Sequence, residues 1–199
     1  MNSDVGGHLL MVEVKAPPEV TTKELLTAEE LWEMGDVGPC ELVAGEMVKM
    51  TPTSRGHGRI VARLSRILGN FLEDHPLGEV QAGDVGFVVK RDPDTVRAAD
   101  VMFYTAERLA DVPDTGFLPI APDLAVEVIS PGDRWSEIQE KMSEYLDAGV
   151  RLTWVVDPRT RRVYIYRPGR EVRRLAESDV LDGEDVLSGF TMPVGELFT

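Results

Sequence analysis

Glu127 lies in the run Asp123-Leu-Ala-Val-Glu-Val-Ile-Ser130, a carboxylate with apolar neighbours on both sides. Strand alternation puts Leu124, Val126 and Val128 on one face and Ala125, Glu127 and Ile129 on the other. A charge in that setting is costly to bury unless it meets a metal, a cation or water at a sheet edge. Asp100 has a comparable setting in Arg97-Ala-Ala-Asp-Val-Met-Phe-Tyr104, and alone would equally suit a strand end or a turn. Two acids on separate strands can share one site, and their hard oxygens suit Mg²⁺ or Mn²⁺. Lys141 stands at helical spacing beside Ile138, Met142 and Tyr145. Its stem then lies along an apolar stripe, and its ammonium either snorkels to water or reaches Glu127.

Positioning these groups requires a mixed α/β chain. Residues 1–23 read as an extended arm, and 24–199 as one domain with no repeat or linker. Thr27-Ala-Glu-Glu30 is a capping box that opens a short helix through Met34. Segments on either side of Ala44-Gly45 read as a hairpin. From Ser54 to about Asp74, Ile60, Leu64, Ile67, Leu68 and Phe71 recur at helical spacing, which predicts a long amphipathic helix. Strands are expected near 79–82, 85–89, 99–104, 123–130, 152–157, 163–166 and 171–176, with a second helix over 136–148 that ends at Gly149. Pro193 can open a final short helix.

Of the 16 arginines, Arg55, Arg59, Arg63 and Arg66 fall on one helical face, and seven more lie between Arg159 and Arg174. Either group can be a phosphate track or a solvated face paired with the chain's acids. The net charge of −14, from 35 acidic and 21 basic side chains, opposes non-specific adhesion to nucleic acid. Other chemistries lack their parts. There is no G-x-x-x-x-G-K loop, no H-E-x-x-H and no G-x-S-x-G. A single cysteine, Cys40, excludes an intrachain disulfide framework. No apolar run is long enough to span a membrane, and no secretory signal opens the sequence, so a cytoplasmic location is expected.

An ordered set of short motifs resembles the putative restriction endonuclease family, formerly a domain of unknown function, within the PD-(D/E)XK nuclease superfamily. The set comprises Glu41-Leu-Val-Ala-Gly-Glu46, His57, Asp100 and Asp123–Pro131, followed by Lys141, Tyr145, Gly149-Val150, Trp154 and Asp157-Pro158. The resemblance covers about residues 25–170. It implies a restriction-endonuclease-like core, a central mixed sheet flanked by helices. It further implies that Asp100 and Glu127 bind Mg²⁺ or Mn²⁺ and that Lys141 supplies positive charge near the attacking water or the scissile phosphate. His57 and Glu41 are candidates for the surrounding shell. Two departures stand out: Ala99 precedes Asp100 where the superfamily often has Pro, and Ile129, not Lys, stands two residues after Glu127. The motif lysine therefore has to come from the helix.

The expected function is a divalent-metal-dependent endonuclease acting on DNA, a homodimer by family analogy, with the Arg55–Arg66 stripe as a nucleic-acid contact. The alternative is a non-catalytic nuclease-fold protein that binds nucleic acid or a protein partner. An acidic protein-interaction module is a third reading.

Overall fold

The structure is a computed structural model and describes residues 25–199, so the expected arm over 1–23 lies outside the described residues. The capping box opens α1 (Ala28–Glu33) as expected: Thr27 Oγ1 accepts from the Glu30 N–H at 3.2 Å, and the Glu30 carboxylate accepts from the Thr27 N–H at 2.8 Å. Strands β1 (Cys40–Val43) and β2 (Glu46–Lys49) follow, joined by Ala44 and Gly45, both at positive φ as a type I′ turn requires. The long helix α2 (Arg55–Asp74) is capped by Ser54. Next come β3 (Gly78–Ala82), β4 (Phe87–Lys90), β5 (Thr95–Arg97), β6 (Val101–Thr105) and the short α3 (Ala106–Leu109). Then β7 (Leu124–Val128), α4 (Trp135–Asp147), β8 (Leu152–Asp157), β9 (Arg162–Tyr166) and β10 (Arg173–Leu175) complete the central layer. A hairpin of β11 (Val180–Asp182) and β12 (Thr191–Pro193) precedes a closing 3₁₀ turn, Val194–Phe198.

Six strands form the large sheet in the order β10-β9-β8-β7-β6-β3, and four form a smaller one, β2-β1-β5-β4. The large sheet is mixed, because β7 and β8 run parallel through the α4 crossover and the other neighbours are antiparallel. Both of its faces are covered. Ile60, Leu64 and Leu68 of α2, with the β11–β12 hairpin and the C-terminal turn, pack on Val126, Trp154 and Ile165. Ile138, Met142 and Tyr145 of α4 pack on Ala125, Val155 and Tyr166 on the opposite face. The smaller sheet packs Leu42 and Val96 against Ala28 and Leu31 of α1.

Three features depart from the sequence reading. Asp100 precedes β6 instead of lying within it, because the strand's pairing begins at Val101 opposite Ala82 and Val126. Strand β5 was not among the expected strands; three residues after the Asp92-Pro93-Asp94 turn are too few for alternation to register. The β11–β12 hairpin likewise has only three residues per strand.

Candidate active site

The chain leaves the small sheet at Arg97 and enters the large one at Val101, so Ala98–Asp100 is the junction between the sheets. Asp100 sits at this junction with its Oδ2 held from two sides. The Val128 N–H donates to it at 2.7 Å, and His57 Nε2 lies 3.2 Å away. One carboxylate therefore ties together the start of α2, the junction and the end of β7. The hydrogen bond to Asp100 holds the His57 imidazolium above its usual range, against the effect of burial.

Glu127 stands on the α4 side of the same strand end. Its Oε1 accepts from the Tyr145 hydroxyl at 2.6 Å and pairs with Lys141 Nζ at 3.0 Å. The same ammonium lies 3.0 Å from Glu41 Oε1. Glu41 also takes Arg97 Nη1 at 2.8 Å and the Ala98 N–H at 3.1 Å, and Arg97 Nε continues to Glu144 at 2.8 Å. Two helices and both sheets thus meet at one cluster.

The charges respond differently. Burial pushes the Glu127 carboxyl up to about 7; the Asp100 charge adds to this, while Lys141 and the Tyr145 hydroxyl oppose it. Burial acts against the charged form of Lys141 too, but Glu127 and Glu41 outweigh it and keep the ammonium protonated. Glu41 is also desolvated, yet Lys141 and Arg97 together draw its carboxyl below the ordinary range. Burial raises the Tyr145 hydroxyl well above its usual value, and Glu127 adds to that, so it remains a donor.

Carboxylate oxygens of the kind Asp100 and Glu127 offer are the hard donors that a divalent ion such as Mg²⁺ takes. The hydrogen bonds of Asp100 and Glu127 with the described residues fall on Oδ2 and Oε1, and none falls on Asp100 Oδ1 or Glu127 Oε2. Among the described residues, Glu41, Glu127 and Glu144 share two permanent cations, Lys141 and Arg97, while Asp100 pairs with His57 alone. Among the described residues no group of three or more His, Cys, Asp or Glu is set to cage a metal. Mg²⁺ does not need one, since it usually keeps several waters and takes one or two carboxylates plus substrate phosphate.

The sequence reading named Asp100, Glu127, Lys141, His57 and Glu41, and all five converge here. It passed over Arg97 and Glu144, and gave Tyr145 no role. Tyr145 had a signal, one turn beyond Lys141 on the same helix side; Arg97 lay in a stretch to which no element was assigned. The arginine stripe is a different matter. At about 100° per residue its four members centre roughly 160° around α2 from His57. Arg63 is bound to the C-terminus, donating to the Glu196 carbonyl at 2.7 Å and to the Thr199 hydroxyl. Arg55, Arg59 and Arg66 are exposed. In the 159–174 segment, Arg161 pairs with Glu177, Arg167 with Glu184 and Asp185, and Arg173 with Glu184.

A family model described as Uma2, "Putative restriction endonuclease", matches residues 26–195. The chain belongs to the Uma2 family. Among solved structures, it is similar to a crystal structure described as a putative nuclease belonging to DUF820 from Anabaena variabilis ATCC 29413. That match has a TM-score of 0.74 at 18% identity and covers 87% of this chain and 97% of that one, so it shows a shared fold. No curated protein matches the chain. The five converging residues of this Uma2 chain all lie inside the matched range. No described helix is long and apolar enough to cross a membrane.

Proposed function

We propose that the protein is a divalent-metal-dependent endonuclease that hydrolyses phosphodiester bonds of DNA, with Asp100 and Glu127 holding Mg²⁺ or Mn²⁺. The observation that carries this reading is the pair of partly free carboxylates at one sheet end, in surroundings short of positive charge. When bound, such an ion supplies charge that polarises the phosphodiester and makes water more acidic.

The chain's own groups have separate tasks. Lys141, fixed by Glu41 and Glu127, presents a permanent positive charge to the phosphate as negative charge develops in the transition state. Tyr145 orients Glu127 through its Oε1 and leaves Oε2 for the ion. His57 and the Val128 N–H orient Asp100 in the same way. Arg97 holds Glu41, and through it the Lys141 head.

The test is metal-dependent cleavage of DNA with a paired binding readout. Mn²⁺ should raise thermal stability through preferential binding to the folded state. Asp100→Asn and Glu127→Gln should each abolish that shift and the cleavage. A shift unchanged in both variants would overturn the metal assignment. An Mn²⁺ shift lost in both variants, with no cleavage by the wild type, would favour the non-catalytic nuclease-fold reading.

A further inference from the structure

Helix α4 has two working flanks. Lys141 and Glu144 face the cluster just described, while Trp135 and Gln139 lie roughly 120–160° around the helix from Lys141. They turn toward β9, whose Arg162, Tyr164 and Tyr166 alternate onto the sheet face covered by α4. The register is continuous with the cluster, since Glu127, Val155, Tyr164 and Arg174 occupy one row across β7, β8, β9 and β10. At about 4.8 Å per strand, Tyr164 stands about 10 Å along that row from Glu127.

Between helix and sheet lies an open groove of about 490 Å³ lined by Trp135, Gln139, Tyr164, Tyr166, Val172 and Arg174. The Trp135 and Tyr164 rings meet at 4.8 Å and 59°, and Trp135 is 40% exposed, so its indole is only partly covered. Arg167 and Arg173 are paired with Glu184, whereas Arg162 and Arg174 have no ion pair among the described residues. An open aromatic pair flanked by unpaired arginines, in a chain of net charge −14, is an exception to the surface around it.

We propose that this groove binds an unpaired nucleobase, stacked on Trp135 and Tyr164, with Arg162 and Arg174 on the flanking phosphates. The inference rests on the endonuclease reading and deepens it by naming the substrate class: nucleic acid that is single-stranded beside the bond to be cut. Every base has a π-face, so aromatic platforms hold single strands with little sequence preference. Guanidinium groups add attraction to phosphate and to the rings. A base inside a duplex is already stacked and cannot enter the groove without being extruded.

Fluorescence anisotropy in Ca²⁺ tests this with a labelled oligo(dT) of about ten nucleotides, within the span of a stacking groove, and a blunt duplex of equal length. The wild type should prefer the single strand. Trp135→Ala and Tyr164→Ala should each weaken single-strand binding by about tenfold and leave duplex binding unchanged. Trp135→Phe, which keeps a ring, should retain most of the affinity, and thermal melting reports whether each variant folds. Variants that bind oligo(dT) as the wild type does, a wild type without single-strand binding, or a preference for duplex would each overturn the proposal. The anisotropy does not depend on turnover, so the two readings fail separately. A wild type that never cleaves but loses oligo(dT) with Trp135→Ala keeps the groove and sinks the nuclease. Metal-dependent cleavage with unaltered oligo(dT) binding in Trp135→Ala does the reverse.

Discussion

Asp123 and Glu127 bracket the same strand, four residues apart, and both are largely removed from water. Their surroundings differ. Asp123 Oδ2 accepts from the Thr105 N–H at 2.9 Å and the Thr105 hydroxyl at 3.2 Å, while its Oδ1 pairs with Arg108 at 3.1 Å and Arg151 at 3.2 Å. Both oxygens are fully employed, by two cations and two donors. Glu127 has one tyrosine hydroxyl and one lysine on a single oxygen, and that lysine is shared with Glu41. Burial is therefore not what distinguishes these two acids. The supply of donors separates them: the saturated Asp123 carboxylate locks β7 to its neighbours, and the undersupplied Glu127 carboxylate is the one assigned to the proposed metal site.

The sharpest way to break this comparison is to neutralise each acid and read cleavage. Glu127→Gln and Lys141→Met should each lower phosphodiester cleavage by on the order of a hundredfold or more, the scale for removing one positioned charge stabiliser. Asp123→Asn should leave turnover per folded molecule near the wild-type rate, measured at a temperature where the variant is folded. A Glu127→Gln variant with wild-type turnover would erase the distinction.

Stability should divide the other way. Asp123→Asn breaks a buried carboxylate away from two arginines and should cost about 2–3 kcal/mol in urea unfolding, less than a fully enclosed pair because both arginines reach solvent. Glu127→Gln should cost under about 1 kcal/mol, since the change removes an ill-compensated charge while the Tyr145 bond can persist. Lys141→Met should destabilise, although Met suits the apolar stripe, because it strands two carboxylates. Adding Glu127→Gln should recover part of that loss in a double-mutant cycle.

Proton linkage sharpens the comparison further. Glu127 titrates near 7 when folded, above its unfolded value, so it binds more protons in the folded state between those points. In the metal-free protein its contribution to stability therefore falls as pH rises through that window. The His57–Asp100 pair has the same sign: its contribution is full below the ordinary histidine value and is lost as pH climbs through the raised one. A divalent ion must displace the Glu127 proton, so the Mn²⁺-induced rise in Tm should grow from about pH 6 to about pH 8 and then level. A shift independent of pH over that range would mean that Glu127 is not a ligand.

The sequence made the strand acids visible because a carboxylate in an apolar run violates local pattern, and that violation needs no tertiary information. Lys141 was visible as a lysine beside an apolar stripe. Capping at Thr27, the long α2 and the separate elements β7, α4 and β8 were legible for the same reason: their signals are local and strongly periodic. Arg97 was not, because its meaning depends on β5 pairing with β1, fifty-odd residues earlier in the chain (Leu42 opposite Val96). The saturation of Asp123 was equally hidden, since its donors come from Thr105 at the end of β6, Arg108 in α3 and Arg151 just before β8. What a carboxylate meets across the sheet is a property of topology, and one strand's sequence does not carry it.

The smallest expected effect concerns arginines, where the same contrast between employed and unemployed groups recurs within one helix. Arg59 is exposed on α2, and Arg63, one turn on, is committed to the Glu196 carbonyl and the Thr199 hydroxyl. If Arg59 touches phosphate, its removal releases about one fewer counterion, so log affinity against log salt should flatten by up to about 0.9 units on duplex DNA. Arg63→Ala should leave that slope unchanged and instead loosen the C-terminal turn, visible as faster amide exchange at Leu197 and Phe198. Both variants should change global stability by less than about 1 kcal/mol, because exposed polar contacts of this kind are screened by water. Identical salt slopes for wild type, Arg59→Ala and Arg63→Ala would remove α2 from the nucleic-acid path. A flattening in Arg63→Ala equal to that in Arg59→Ala would mean that the C-terminal tether opens on binding and frees Arg63 to join the stripe.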